Sequence, residues 1–560
     1  MLIILVSWIY ILLTTINLGV VVSRMFRISP HFSVTAFIGL FATSMLASAW
    51  AFFDGLSWGF DLFFLGLNVV VSLIHRPLLL RQCSKFRNEL LSLKTPLKIL
   101  IGFLSLLILA QCASAPYAFD NESYYIQTIK WLEEYGFVKG VANLHIFLGQ
   151  TSGWHIAQSA FNFTWLSPNL NDLSGFSLLL GNLFAICNLN DYFKDRDKNY
   201  LVFGLLPIAN LLLFPFISAP SPDVPVYILT LIIAYYVVKR DRLADNFNSI
   251  ALLVLFALYI KPTAVALVLI PLVHVYQFRR NVFRLIPISI LGCVVLTLFI
   301  FKNKVITGYP LFPITSLALS ENHVVPKVVV EDFYTITKLF AYKMNKLEFD
   351  SSSAAALFVR WLTLPKLHGL FNCLSILLIM ISPIVIWKRF NSAGFWLLYF
   401  TMSLQMLVLF ASSPQYRFFL NFILIFGFML IAITLKSERM VILIVYSASA
   451  ACLLFLLFSW NLKPLTNNKF GKRTAPFSVE NVLYPHENSK LALDYETVYE
   501  GNLQYHSPVN AKFRYLTGDG KLPCVKASQI RYYKRKFGVV PQLRSGDLRD
   551  GFYSKGPRNE

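Results

Sequence analysis

The sequence predicts an all-α polytopic membrane protein, a bundle of about fourteen transmembrane helices, on three observations. First, 56% of the residues are hydrophobic and only 14% charged, whereas a soluble chain needs roughly 25% charged residues to cover its surface. Second, the apolar residues fall into runs of about 17 to 25, the length that crosses a hydrocarbon layer of ~30 Å. Third, Lys and Arg alternate strongly between successive loops, the footprint of membrane topology.

Taken in order, the apolar runs predict helices near 1–23, 31–53, 57–75, 97–115, 172–189, 200–217 and 224–238. The series continues with 248–260, 262–278, 285–301, 369–387, 395–411, 418–435 and 440–459. The pair 248–260 and 262–278 also reads as one long helix broken at Pro262. Met1 to Val22 has no basic leader, so this run reads as an uncleaved first helix.

One set of short loops carries about 21 positive charges, from Arg24 and Arg27 through Arg76 to Lys98, Lys194, Arg196, Lys198, Lys239, Arg240 and Arg242. It ends with Arg279, Arg280, Arg284, Lys388, Arg389, Lys436 and Arg439. The short loops of the other set hold only Lys261 and Arg417, which places the first set in the cytoplasm. The long segments 116–171, 302–368 and 460–560 are then expected to face outward. The chain therefore divides into a membrane domain, 1–459, and an extracytoplasmic basic tail, 460–560.

These facts exclude several classes. The net charge of +21 is largely spent on topology, so it does not point to nucleic acid. No cytoplasmic loop is long enough for a nucleotide-binding domain, and neither G-x-G-x-x-G nor a P-loop occurs. The seven Cys show no C-x-x-C spacing. Chemistry is expected on the outer side, at or above the bilayer.

The first outer segment has the clearest pattern. Asp120 opens an amphipathic stretch in which Tyr125, Ile129 and Leu132 share a face and Gly136 supplies the stop. A second stretch starts near Thr151, with Trp154, Ala157, Phe161 and Trp165 as its stripe. Both should lie in the membrane interface as a Trp- and Tyr-rich shelf. Asp120 has two readings: the N-cap of helix 121–135, or a functional acid at the membrane boundary.

The block F-D-N-E-S-Y-Y-I-Q-T-I-K-W-L-E-E-Y-G-F-V-K-G-V-A-N-L-H, residues 119–145, resembles a family of bacterial multi-pass proteins that looks like part of the GT-C superfamily of glycosyltransferases. The similarity continues in S-A-P-S-P-D (218–223), Y-I-K-P-T-A (259–264) and G-Y-P-L-F-P (308–313). The resemblance implies a GT-C-like bundle and a catalytic carboxylate, carried onto Asp120. It also implies a sugar donor borne on a polyprenyl phosphate. This chain departs from the family in having Tyr125 where relatives usually have His.

The residues fit such a reaction. A base must take the acceptor proton, and cations must meet the negative charge on a leaving lipid phosphate. Lys261 and Arg417 are placed for the second task, or else snorkel at helix ends. Asp223 is a second carboxylate or a helix cap, and Glu122 a further carboxylate candidate. Tyr124, Tyr125, His145 and Tyr309 are candidates for substrate contact. Glu122, His145 and His155 are the candidate ligands for a divalent metal, and their spacing matches no motif.

Other signals read as structural. Asp195-Arg196-Asp197 has the D-x-D spacing of nucleotide-sugar enzymes but sits in a short cytoplasmic loop. Glu133 and Glu134 read as a solvated helix face. The tail run Arg531 to Phe537 mixes basic and aromatic residues and suits anionic headgroups or a plain basic surface better than RNA.

The expected function is thus an inverting membrane glycosyltransferase, embedded in the lipid bilayer, that moves a sugar from a polyprenyl-phosphate donor to an extracytoplasmic glycan or glycolipid acceptor. An O-antigen-type polymerase shares the side, the lipid carrier and the helix count. A lipid-linked oligosaccharide flippase is the non-enzymatic alternative.

Overall fold

A computed structural model describes residues 1–239, 243–276, 282–318, 321–466 and 474–556. The basic loop residues Arg240, Arg242, Arg279 and Arg280 lie outside these, as does the end of the predicted helix 262–278.

The chain is mostly helical. Its first four helices are α1 (Leu2–Met25), α2 (Phe32–Trp50), α3 (Trp58–Ser92) and α4 (Thr95–Ala113). The first loop carries α5 (Ile126–Glu134) and α6 (Gly153–Ser159). Then come α7 (Leu173–Asp195), α8 (Lys198–Gly204), α9 (Leu206–Ile217), α10 (Asp223–Val238), α11 (Leu243–Ile260), α12 (Leu269–Val275) and α13 (Ile286–Thr307). The second long loop holds α14 (Lys327–Tyr342), α15 (Lys346–Ser351) and α16 (Ala354–Leu362). The bundle closes with α17 (Leu367–Arg389), α18 (Ala393–Ser412), α19 (Leu420–Phe422), α20 (Phe428–Thr434) and α21 (Glu438–Leu457).

Among the described residues, 11 helices are long and apolar enough to cross a membrane, with α8–α9 and the Tyr416–Thr434 segment each counted as one. Three predicted spans are shorter: Asp223–Val238, Asn246–Ile260 and Pro262–Val275. The last two are separate segments, because Lys261 is extended (φ −146°, ψ 102°) and a 3₁₀ turn, Pro262–Val268, precedes α12.

Burial separates the centre of the bundle from its rim. In α7, 89% of the apolar window is buried, against 11% in α3 and 22% in α13. Leu62, Leu65 and Leu73 of α3 are openly exposed. Such large apolar faces suit lipid rather than water. Inside, α1 and α2 approach closely through glycine. A Cβ on Gly19 would stand 2.0 Å from the Thr35 carbonyl, and one on Gly39 1.8 Å from that of Thr15.

Loops segregate to two faces. The N-terminal amine reaches the Asn481 carbonyl, His486 N–H donates to the Ala113 carbonyl at 2.9 Å, and Leu367 N–H to that of Leu465 at 3.0 Å. These contacts gather the long segments on one face, called here the loop face. On the other face, Glu438 bonds Lys94 (2.8 Å) and Arg196 (2.5 Å).

The described tail, 474–556, adds structure beyond an all-α pattern. It holds antiparallel β1 (Tyr495–Glu500) and β2 (Leu503–Pro508), then α22 (Ala527–Phe537) and the pair β3 (Val540–Leu543) and β4 (Phe552–Lys555). This domain packs down onto the first loop. The predicted shelf is consequently not an interfacial layer: Trp154, His155 and Gln158 of α6 are all fully buried. An amphipathic pattern there reflects a segment sandwiched between the bundle and the tail.

Candidate functional site

Four charged side chains from distant parts of the sequence meet at the loop-face ends of the helices. Asp120 precedes a π-helical turn, Asn121–Tyr125, that leads into α5. Asp223 is the first residue of α10, Lys261 occupies the break after α11, and Arg417 sits in the 3₁₀ turn Tyr416–Phe419. Arg417 Nη2 donates to Asp120 Oδ2 at 2.6 Å, and its Nε stands 3.5 Å from Asp223 Oδ2. Lys261 Nζ donates to Asp223 Oδ1.

The arrangement is a neutral quartet, two carboxylates and two cations. Arg417 bridges the carboxylates, and Lys261 secures the second. Asp223 is nearly sealed, its side chain 4% exposed, while those of Asp120 and Arg417 are 19% and 20% exposed. Phe418 lies beneath both cations, 3.5 Å from Lys261 Nζ and 5.2 Å from Arg417 Cζ, at cation–π range. Tyr227 of α10 fixes the turn by donating its hydroxyl to the Arg417 carbonyl at 2.6 Å.

Asp120 is therefore no cap. Its backbone is already helical (φ −62°, ψ −25°), and its side chain makes no capping bond. The π-helical turn brings Tyr124 and Tyr125 in beside it, rings 4.7 Å apart and both buried. Burial pushes the Tyr124 hydroxyl well up, with the Asp120 charge adding to it. Burial, then Tyr124, then Asp120 do the same for Tyr125. Both hydroxyls stay protonated at neutral pH. The Tyr125 ring also stands 4.8 Å from that of His155.

The remaining candidates lie outside the quartet. Glu122 is a buried clamp for the tail: it accepts from Ser489 Oγ at 2.5 Å and from Lys490 N–H at 3.1 Å. Its own carbonyl accepts from Gly518 N–H at 2.8 Å. Burial raises its carboxyl pKa, against the pull of Ser489 and Lys490. His145 is also buried, 3.1 Å from the Tyr515 carbonyl, and burial lowers it to about 4. Tyr309 donates to the Val325 carbonyl at 2.8 Å and packs the second loop.

Glu122, His145 and His155 do not converge as metal ligands. Among the described residues, the group whose ligand atoms fall within 4.8 Å of one another is His31, Glu89 and Cys187. There His31 Nδ1 accepts from Ser33 N–H at 3.1 Å, which leaves the ring proton on Nε2, 3.3 Å from Glu89. With Nδ1 taken by Ser33 and Nε2 donating toward Glu89, neither ring nitrogen is left for a metal. Asp197 caps α8, accepting from Asn199 N–H at 2.9 Å, so the D-x-D is structural. Of the two expected face residues Glu134 is exposed, while Glu133 is half-buried: it accepts from Asn162, and burial pushes its carboxyl up to about 8.

Sequence reasoning missed the walls of the site. A recess opens below the quartet between α10, the 262–268 turn, α18 and Asn421. Phe418, Gln405 and Asn421 line it, and in the sequence they are ordinary members of apolar runs. Gln405 and Asn421 carried a legible signal, since amides inside a span need partners.

The chain belongs to the family described as Domain of unknown function (DUF8201), whose model matches residues 1–424. That span includes all four members of the quartet. No curated protein and no solved structure matches the chain.

Proposed function

We propose that this protein is an inverting glycosyltransferase of the GT-C type, moving a sugar from a polyprenyl-phosphate donor to a glycan or glycolipid acceptor. The loop face then looks out of a bacterial inner membrane, the orientation that the loop charges favour. One observation carries the reading: a carboxylate, Asp120, sits 2.6 Å from Arg417, which also joins Asp223 and Lys261 at the helix ends.

In this reading Asp120 takes the proton of the acceptor hydroxyl as its oxygen forms the new bond to the anomeric carbon. The bond from that carbon to the phosphate oxygen breaks, and Lys261 and Arg417 stabilise the charge left on the phosphate. Asp223 positions both cations. Protein cations already neutralise the two carboxylates, so no step runs through a divalent ion.

The test is Asp120→Asn, which keeps the size and polarity of the side chain but cannot accept the proton. Transfer from a synthetic polyprenyl-phosphate hexose should fall by roughly 10²-fold or more, with the protein still folded and its unfolding midpoint lowered less than in Arg417→Gln. Full activity in that variant would remove Asp120 as the base.

A further inference from the structure

Helix α3 is longer than a bilayer needs. Its 35 residues make about 52 Å of helix, against a hydrocarbon layer of ~30 Å. It breaks at His75, whose backbone leaves the helical region (φ −108°, ψ 16°) two residues before Pro77, a residue that clashes with the preceding turn. Beyond the break the helix runs across the bundle rather than along it. Asn17 of α1 donates to Ser72 Oγ at 2.7 Å, and His31 at the start of α2 stands 3.3 Å from Glu89. Because Gly19 of α1 abuts the Thr35 carbonyl of α2, Asn17 and His31 lie only about 9 Å apart along the axis of that pair. From Ser72 to Glu89, α3 covers about 25 Å. The segment 76–92 is therefore strongly inclined toward the membrane plane, on the face opposite the loop face.

One side of this segment grips the bundle: Gln82 Nε2 donates to Thr35 Oγ1 at 3.1 Å, and Phe86 stacks on Phe32 at 3.8 Å. The other side is open. Leu80, Ser84, Arg87 and Leu91 follow one another there at helical spacing, and Leu80 and Leu91 are 59% and 64% exposed. Arg76, Arg81, Lys85 and Arg87 are all exposed, and among the described residues none of the four makes a salt bridge. The one acid of the segment, Glu89, is turned to His31.

A solvated loop accounts for the cations but not for two open leucines beside them. A lipid surface accounts for both. We propose that the segment 76–92 is an in-plane helix that docks on anionic phospholipid headgroups, with its leucines at the acyl boundary and its cations on the phosphates. The surface continues the lipid-facing side of α3, where Leu62, Leu65 and Leu73 are exposed. Within α3 only Phe60, Phe64 and Asn68 are fully buried, so headgroups bound here also hold the helix against the bundle. This docking does not depend on the transferase reading.

Cys83, exposed on the same segment, provides the probe: a bimane is attached to it in a background with the exposed Cys293 and Cys373 changed to Ser. The full chain is assembled into phosphatidylcholine nanodiscs that contain increasing amounts of spin-labelled phosphatidylglycerol or spin-labelled phosphatidylcholine, and quenching of the bimane is followed. The anionic lipid should quench at a mole fraction at least about fivefold lower than the zwitterionic one. The triple variant Arg76→Gln, Arg81→Gln, Arg87→Gln should bring the two lipids within about twofold, since each cation near the surface is worth several-fold in binding. Raised salt should narrow the gap with the arginines in place, and that series decides if the triple variant misfolds. Equal quenching by the two lipids, or a preference that survives both salt and loss of the arginines, would overturn the proposal. Quenching by neither lipid would put the helix off the bilayer, as a protein-docking surface would be, and refute it as well.

Discussion

Removing one charge from the quartet should harm the protein more than removing an opposite pair. Arg417→Gln leaves Asp120, Asp223 and Lys261, a net negative cluster; Asp120→Asn leaves a net positive one. The double variant is neutral again. At an effective dielectric of ~20 and a charge separation of ~4 Å, the Asp120–Arg417 attraction is about 4 kcal/mol. Both side chains keep about one-fifth exposure, and solvent screening brings the expected loss for Arg417→Gln to roughly 2–3 kcal/mol. Asp120→Asn should cost less, since Arg417 still faces Asp223 at 3.5 Å. The double variant should recover at least half of the Arg417→Gln loss. Apparent unfolding midpoints in detergent, followed by tryptophan fluorescence, give the rank order, which suffices where unfolding is irreversible. Losses that simply add, with the double variant lowest, would show that the quartet is not an electrostatic unit.

Three further outcomes follow from other parts of the molecule. Glu122→Ala deprives the partly buried Lys490 N–H and Ser489 Oγ of their acceptor and should loosen the tail by about 1–3 kcal/mol; protease should release it faster than from Glu122→Gln, which keeps an acceptor, and an unchanged digest would dismiss the clamp. Glu133 has its carboxyl pushed up to about 8, chiefly by burial, so the fold favours the neutral acid. Its stabilising contribution is present below its ordinary pKa of ~4.5 and is lost as pH rises toward 8. The midpoint should drop between pH 5 and 8, and Glu133→Gln should flatten that drop. Finally, Gly546→Cys on the exposed tail, where an added side chain meets open space, should react with an impermeant thiol reagent in intact cells. Asp195→Cys on the opposite face should not, and the reverse pattern would invert the membrane orientation.

The spans were legible because each carries its own signal, a long apolar run bounded by charges. Even the break at Lys261 was readable, since Pro262 cannot continue a helix. Lys261 and Arg417 stood out by their rarity in the short loops of one face. What the sequence could not display was pairing across distance. Asp120 meets a partner 297 residues away, and Glu122 one 367 residues away. Read locally, Asp120 resembles a cap and the stretch 121–135 an interfacial helix. Both readings change once Arg417 and the tail are in place, because burial by a remote segment leaves no periodicity in the segment it covers. The sheets of the tail were missed for a related reason: their strands are four to six residues long and lie amid loops.

The chemistry of the quartet follows from its neutrality. A site of two free cations would bind any anion, and two free carboxylates at a membrane boundary would be costly. Joined, they neutralise one another, and each is held at a helix end where backbone geometry limits its movement. An arriving phosphate can be accommodated only if Arg417 or Lys261 exchanges a carboxylate for it. Arg417 has the geometry for that exchange, since its forked guanidinium can hold a phosphate through one edge. In that exchange Asp120 loses its partner and becomes free to accept a proton while the phosphate becomes anchored. Under the proposed transferase reading, ligand arrival and release of the base would be one event, with the carboxylate freed only when a substrate is there for it to act on.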